Sequence, residues 1–456
     1  MTLWKSRINS EMSSAFKEMN KSLDFDIRLL PHEIKQNVAY ATALNKVGVI
    51  KNDELKSIEK ALLQILDEYN RGEYIPLPDE EDVHSLVEAR LTELTGDVGK
   101  KIHTGRSRNE VIATDIKMFL VDEIGNIKDA ISPVVAEIVK LAEENINVAM
   151  PGFTHMQHAQ PIRLSHYLCS FAYSLIGDFN RLDRILESGL SECPMGSGSF
   201  AGSAFNIDRE KIAKDLGFAR PTPNSITAVS QRDELLEVAS ALSILMIHLS
   251  RYAEDFIMWS TSEFGYIELG ENVSTGSSMM PQKKNPDSLE LIRGKTARVI
   301  GNMQTLFTLL KGMPLTYSRD LQEDKPPLFD SIDETKLCLN VFKNVFETVK
   351  INKENMESKI ENMLFATDLA DYLAKKGVPY RDAYGIVGNL TCDSLEAKKD
   401  FGAYTLEELK QYSKFFEKDV FDCFSAERGI ESRDIMGGTG PASVKAQIKD
   451  LQDWPS

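Results

Sequence analysis

The segment 231–260 constrains the fold most. Leu235, Leu242, Leu245, Leu249, Phe256 and Trp259 recur along it at helical spacing, and further apolar residues cover most of the remaining circumference. A helix apolar on nearly every side is soluble only when other helices surround it. Four more long segments supply such neighbours. One runs from Arg108 to about Asn145, with Ile112, Ile116, Phe119, Ile124 and Ile127 along it and a kink expected at Pro133. The next opens at Pro161 and stops near Gly189, a proline-start and glycine-end pattern. Another follows Pro286 to about Lys311, and the last spans about Phe329 to Lys350. With few strand signals, these segments predict an all-α chain built on a central bundle of five long helices.

A chain of 456 residues exceeds one ordinary core. Shorter helical patterns flank the bundle, so three domains are expected: 1–105, 106–357 and 358–456. In the first, a helix is expected through Lys46 with Gly48 as its stop, another from Asn52, a break at 75–78, and an acidic first turn at 79–82 ahead of His84. The 53 basic and 69 acidic residues leave a net charge of −16, which argues against general binding to nucleic acid or anionic membrane. Cys169, Cys193, Cys338, Cys392 and Cys423 are scattered without CxxC spacing, so reduced thiols and a cytoplasmic location are expected. Residues 1–20 lack an apolar signal core, and no run of about 18 apolar residues predicts a membrane span.

Several polar stretches interrupt this pattern. In 276–286, Ser277, Ser278, Lys283 and Lys284 precede a helix that Asn285 would cap, with Pro286 at its first position. Unpaired N–H groups at a helix start, beside lysines, suit an anion; read alone, the same residues also describe an ordinary capped loop. In 101–110, Ser107 and Glu110 fit a capping box that starts a helix at Arg108, and the paired arginines suit a carboxylate. His155 and His158 lie in a loop before the second helix, with no carboxylate or cysteine nearby to complete a metal set. The glycine-rich 194–202 stretch lacks the Gly-Lys-Ser/Thr of a phosphate loop and is expected to be a supporting turn. The 317–325 stretch, taken alone, is a solvated connection.

These stretches together resemble the fumarate-forming lyase superfamily, which includes fumarase, aspartase, adenylosuccinate lyase and argininosuccinate lyase. The eleven residues from Gly276 to Pro286 carry the signature. His-Thr-Gly-Arg-Ser-Arg-Asn at 103–109 and Ser-x-x-Phe-Asp-x-Arg-Leu at 22–29 resemble segments of the same family, and the Gln282–Asp287 version of the signature and the Asp-Leu-Gln-Glu-Asp-Lys string at 320–325 resemble its argininosuccinate lyase branch most. Nearly the full chain is covered. Departures fall at Lys5 and Ser6, where paired glycines are usual, and at Tyr384, where histidine is common; His158 is assigned no role.

The resemblance implies elimination of arginine from argininosuccinate to leave fumarate, without metal or organic cofactor, in a homotetramer whose helical core shares each site between subunits. It implies substrate contacts by Ser22, Arg108, Asn109, Thr154, Ser278, Asn285, Tyr317, Gln322 and Lys325. Ser277 and His155 form the acid–base pair, in either direction, with Glu290 as the carboxylate that would orient the histidine. Lys283 would stabilise the doubly charged aci-carboxylate left by proton removal. Alternatives are a sister lyase acting on adenylosuccinate or aspartate, a non-catalytic crystallin-like protein, and a helical interaction scaffold.

Overall fold

Five helices of 24 residues or more occur among the described residues: Arg108–Glu144, Leu164–Glu187, Asp233–Trp259, Asp287–Leu310 and Lys325–Thr348. The computed structural model describes residues 12–73 and 81–454. Lys5 and Ser6, residues 1–11 of the N-terminal stretch, the expected break at 75–78 and Asp79 lie outside these residues. Local chemistry sets the helix starts. At the first long helix the Glu110 carboxylate accepts the Ser107 N–H at 2.9 Å, and the Ser107 hydroxyl accepts the Asn109 N–H at 3.3 Å. The capping box therefore starts this helix where the spacing predicts. Helix Leu30–Lys46 ends before Gly48, whose φ is +82°. The expected acidic first turn before His84 is instead a cap: Asp82 lies outside helix Val83–Thr95 and accepts the Ser85 N–H.

The chain forms two compact units, each drawn from three segments. One takes residues 1–128, 179–244 and 296–336; the other takes 129–178, 245–295 and 337–456. Each long helix begins in one unit and ends in the other, in alternation. In the first unit, Phe119 and Phe329 pack edge to face at 4.8 Å, and the Arg28 guanidinium lies over both rings while gripping Asp333 through two bonds of 2.9 and 3.0 Å. Buried Lys117 pairs with buried Glu234, joining the first and third long helices. In the second unit, Phe171 stacks on Tyr252 at 3.7 Å, and Phe342 and Phe346 close the aromatic cluster. A further cluster, with Leu369, Leu373, Leu390, Phe401 and Phe416 fully buried, forms the core of the C-terminal helices.

By length and composition alone, helix Asp233–Trp259 could cross a membrane, although Glu237, Arg251, Glu254 and Asp255 interrupt it and it holds no run of about 18 apolar residues. Half of that stretch is buried within the protein, as the all-round apolar pattern predicts for a bundle core.

The second long helix starts at Leu164, later than the expected Pro161. Residues Ala149–Thr154 and Gln157–Arg163 instead pair as an antiparallel hairpin, with Pro151 opposite Pro161 and an irregularity between Pro151 and Phe153. Proline suits extended backbone as well as a first helical turn, and here strand pairing decides. Gly152 permits the close approach, because a Cβ there would lie 2.7 Å from the Gln160 carbonyl oxygen. Gly152→Ala is expected to force the strands apart and destabilise the protein by about 1–3 kcal/mol, the usual range for overpacking. Thermal melts check this; an unchanged midpoint would contradict the close approach.

Candidate active site

In the second unit, the serine stretch is a loop closed at its base. Thr275 and Gly276 pair antiparallel with Asn285 and Lys284. Within the loop, the Ser277 Oγ accepts N–H bonds from Met279 at 3.2 Å and Met280 at 3.0 Å. Two amide donors on one hydroxyl oxygen favour its deprotonated form. The two lysines have separate fates. The Lys284 ammonium is tethered to Glu268 and the Leu269 carbonyl, while exposed Lys283 has no side-chain partner among the described residues. The positive charge available to a ligand is therefore that of Lys283. Ser278 is exposed. Asn285 is not the helix cap that was expected. Its place in the ladder holds it extended, its amide reaches the Gly276 carbonyl at 3.4 Å, and the Pro286 carbonyl accepts the first helical N–H groups of Leu289 and Glu290.

His155 and Met156 form the two-residue tip of the hairpin, between paired Thr154 and Gln157. Both have positive φ, 53° and 59°, as a mirror-image hairpin turn requires. Such turns favour glycine and asparagine, so this tip is held by its strands against residue preference. The outcome is an exposed imidazole at the apex of the hairpin. No carboxylate lies within ion-pair distance of His155 among the described residues, and Glu290 is 4.0 Å from Arg293. His158 packs edge-on against Phe153 at 5.0 Å.

The remaining candidates belong to the first unit, and one acidic helix start organises several of them. Asp82 accepts Arg108 Nη1 at 2.9 Å. Its neighbour Glu81 accepts Arg319 Nη2 at 2.7 Å, and the Glu81 carbonyl accepts the Ser22 N–H at 2.8 Å. The Ser22 hydroxyl donates to Asp26 at 2.6 Å, and Asp26 accepts the Val83 N–H. Ser22, Arg108 and the 317–325 stretch are thus tied to one point in space, although 295 positions separate the first from Tyr317 in the chain. Asn109 donates to the Ser199 carbonyl at 3.3 Å. The glycine-rich turn supports this start, since Glu110 also accepts the Gly196 N–H at 2.6 Å. Gln322 is buried. Lys325 is buried and paired with Asp324, whose other oxygen takes Arg232 at 3.0 Å, so its charge is already compensated. Burial raises the Tyr317 hydroxyl above its ordinary pKa. Sequence reasoning missed Asp82, Glu81 and Arg319 as partners; only the acidic run before a helix signalled them.

Beneath Arg108 lies a buried ionic network. His84 Nδ1 sits 2.8 Å from Glu33, and the amides of Gln36 and Asn37 donate to the same carboxylate. Burial lowers the His84 pKa, but the Glu33 charge and hydrogen bond, with Asp82 behind them, outweigh it and raise the imidazole above its ordinary value. Burial raises Glu33, yet His84 outweighs it and holds the carboxyl well below the usual range. Asp115 is pushed up, by burial first and by the Glu33 charge second. Ligand atoms of Glu33, His84 and Asp115 lie within 4.8 Å of one another, close enough for a metal. Gln36 Nε2 already donates to both carboxylates, however, and an N–H directed there disfavours a cation. The network is an internal salt bridge that anchors the Asp82 cap.

Residues 6–301 match the family described as Lyase, and residues 363–431 match the one described as Argininosuccinate lyase C-terminal. These matches place the chain among the lyases. An argininosuccinate lyase of Thermoanaerobacter sp. (strain X514) is 44% identical over 447 residues, 98% of this chain and 100% of that protein. One from Clostridium botulinum (strain Alaska E43 / Type E3) is 43% identical over 455 residues, 100% of this chain and 98% of that one. Among solved structures, an EDDS lyase in complex with formate is similar with a TM-score of 0.84 at 27% identity, covering 97% of this chain and 90% of that one. The chain belongs to the argininosuccinate lyase family.

The His84 network has a pH signature. A group whose pKa is higher folded than unfolded stabilises fully below its unfolded value, about 6.5 for histidine, and loses that contribution as pH rises through the folded value. The melting-point deficit of His84→Gln is therefore expected to be largest below about pH 6.5 and to shrink above it. A deficit that grows with pH would show a neutral imidazole in the folded state.

Proposed function

We propose that the chain cleaves argininosuccinate to L-arginine and fumarate, with Ser277 as the base. The observation that carries this assignment is the pair of amide N–H groups on the Ser277 Oγ. They stabilise an alkoxide, which removes the proton from the carbon beside a carboxylate. The electron pair moves into that carboxylate, giving an aci-carboxylate that the Lys283 ammonium, Ser278, Asn285 and the loop amides neutralise. Each such donor typically contributes ~3–4 kcal/mol to the transition state by deletion. The pair then returns to form the double bond and expels the guanidino nitrogen, which takes its proton from His155. Glu290 of a neighbouring subunit orients that histidine. Ser22, Arg108, Asn109, Thr154, Tyr317 and Gln322 hold the substrate's carboxylates and arginine end, with Lys325 fixing the Gln322 stretch. The reaction uses no metal or organic cofactor.

The site in this reading is shared in a homotetramer. Arg108 and His155 flank opposite ends of a helix 37 residues long, about 55 Å at the usual rise. Large apolar side chains are exposed on all five long helices, among them Val121, Tyr173, Ile247, Leu291, Phe307 and Leu337. A helical core between subunits would cover them. We also propose that 1–105, 106–357 and 358–456 act as domains, the last supported by its own apolar cluster. The location is cytoplasmic, as cysteines that form no disulfide among the described residues suit a reducing compartment.

Following fumarate absorbance with argininosuccinate, adenylosuccinate and aspartate offered separately tests the reaction. Release from argininosuccinate alone, unchanged by a chelator, is expected; release from adenylosuccinate alone would overturn the substrate assignment. Ser277→Ala is expected to keep its helicity and lose ~10²-fold or more in turnover, the scale for a missing base. Near-normal turnover would remove Ser277 from the mechanism.

A further inference from the structure

A cavity of about 500 Å³ lies in the second unit, apart from the serine loop and the hairpin tip. Arg163 lines it, at the base of the hairpin, with 8% of its surface exposed. Its guanidinium donates to the Ile146 carbonyl at 3.0 Å, and its Nε is buried without a hydrogen-bond partner. Among the described residues, no carboxylate lies within ion-pair distance of Arg163. Its backbone N–H is fixed by the Thr439 hydroxyl at 2.8 Å, so the residue is anchored where it stands.

A buried guanidinium without a counter-charge is unfavourable unless an anion occupies the adjoining space. Guanidinium is the side chain best shaped to grip a carboxylate. The lining also carries two exposed carboxylates, Glu357 and Glu427, neither with a side-chain partner among the described residues. Phe365, Phe424 and Ile430 supply an apolar wall. One anion-seeking group, two cation-seeking groups and an apolar surface match an amino acid with a positively charged side chain. The volume falls within the usual range for small-ligand sites.

We propose that this cavity is a second ligand site, for an α-amino acid with a cationic side chain. Arg163 takes the α-carboxylate, Glu357 and Glu427 take the two positive groups, and the apolar wall takes the methylenes. This site is independent of which substrate the elimination site accepts.

Equilibrium dialysis of the full-length protein with L-lysine tests it. Lysine has the required charges and lacks the guanidino group of the proposed product. One lysine per chain is expected, with affinity reduced at least ~10-fold in Glu427→Gln and in Arg163→Gln, the effect of one lost charge-assisted contact. Arg108→Gln is expected to leave it unchanged. Glu427 lies on the rim, so its variant reports on binding even if Arg163→Gln fails to fold. No lysine bound at about 10 mM, or binding that Glu427→Gln leaves intact, would overturn the proposal, as would binding lost in Arg108→Gln but kept in Glu427→Gln.

Discussion

A long α-helix keeps its two ends apart, and the organisation of this chain follows from that constraint. Helix Arg108–Glu144 has the arginine pair Arg106 and Arg108 at its start and leads into the histidine hairpin just past its end. The five long helices begin alternately in one compact unit and the other. Motifs placed at helix starts are thereby sorted into two groups. Arg108 and the 317–325 stretch belong to one, and His155 and Ser277 to the other. Large apolar side chains remain exposed along the same helices, and the proposed assembly of subunits would cover them.

The two groups are built by different physics. The serine loop and hairpin tip are backbone devices, exposed and poor in ionic contacts. A short ladder, two amide donors and a turn held in positive φ set their geometry. The arginine group is electrostatic and partly buried. Asp82 lies 3% exposed between His84 and Arg108, and burial, which raises its pKa, is outweighed by those two charges, which hold it down. Removing one partner from such a network leaves another buried charge uncompensated. In the proposed reaction, the acid and base therefore sit on light supports, and the group that would grip the substrate sits on an ionic base.

Much of this was legible in the chain. All five long helices overlap the segments expected for them, although the second starts at Leu164 rather than Pro161 and the fifth at Lys325 rather than Phe329. The Ser107–Glu110 capping box is likewise local and is read directly. The hairpin was missed, since its strands are short and its tip, His155 and Met156, lacks the usual glycine or asparagine. Asn285 had the right chemistry for a cap, but ladder pairing with Thr275 displaced that role to Pro286. Nor could spacing show that Lys284 is tethered while Lys283 has no side-chain partner among the described residues, or that Asp82 meets Arg108. Those facts arise between segments far apart in sequence, where local pattern holds no information.

The central claim is that each site takes residues from more than one subunit. Inactive Arg108→Gln and inactive His155→Ala proteins, unfolded together, refolded and shown to form hybrid oligomers, test it most directly. With random mixing and one residue drawn from each of two subunits, activity should return to roughly a quarter of wild type. Hybrid oligomers that form fully yet stay inactive would show that Arg108 and His155 serve one site from a single chain.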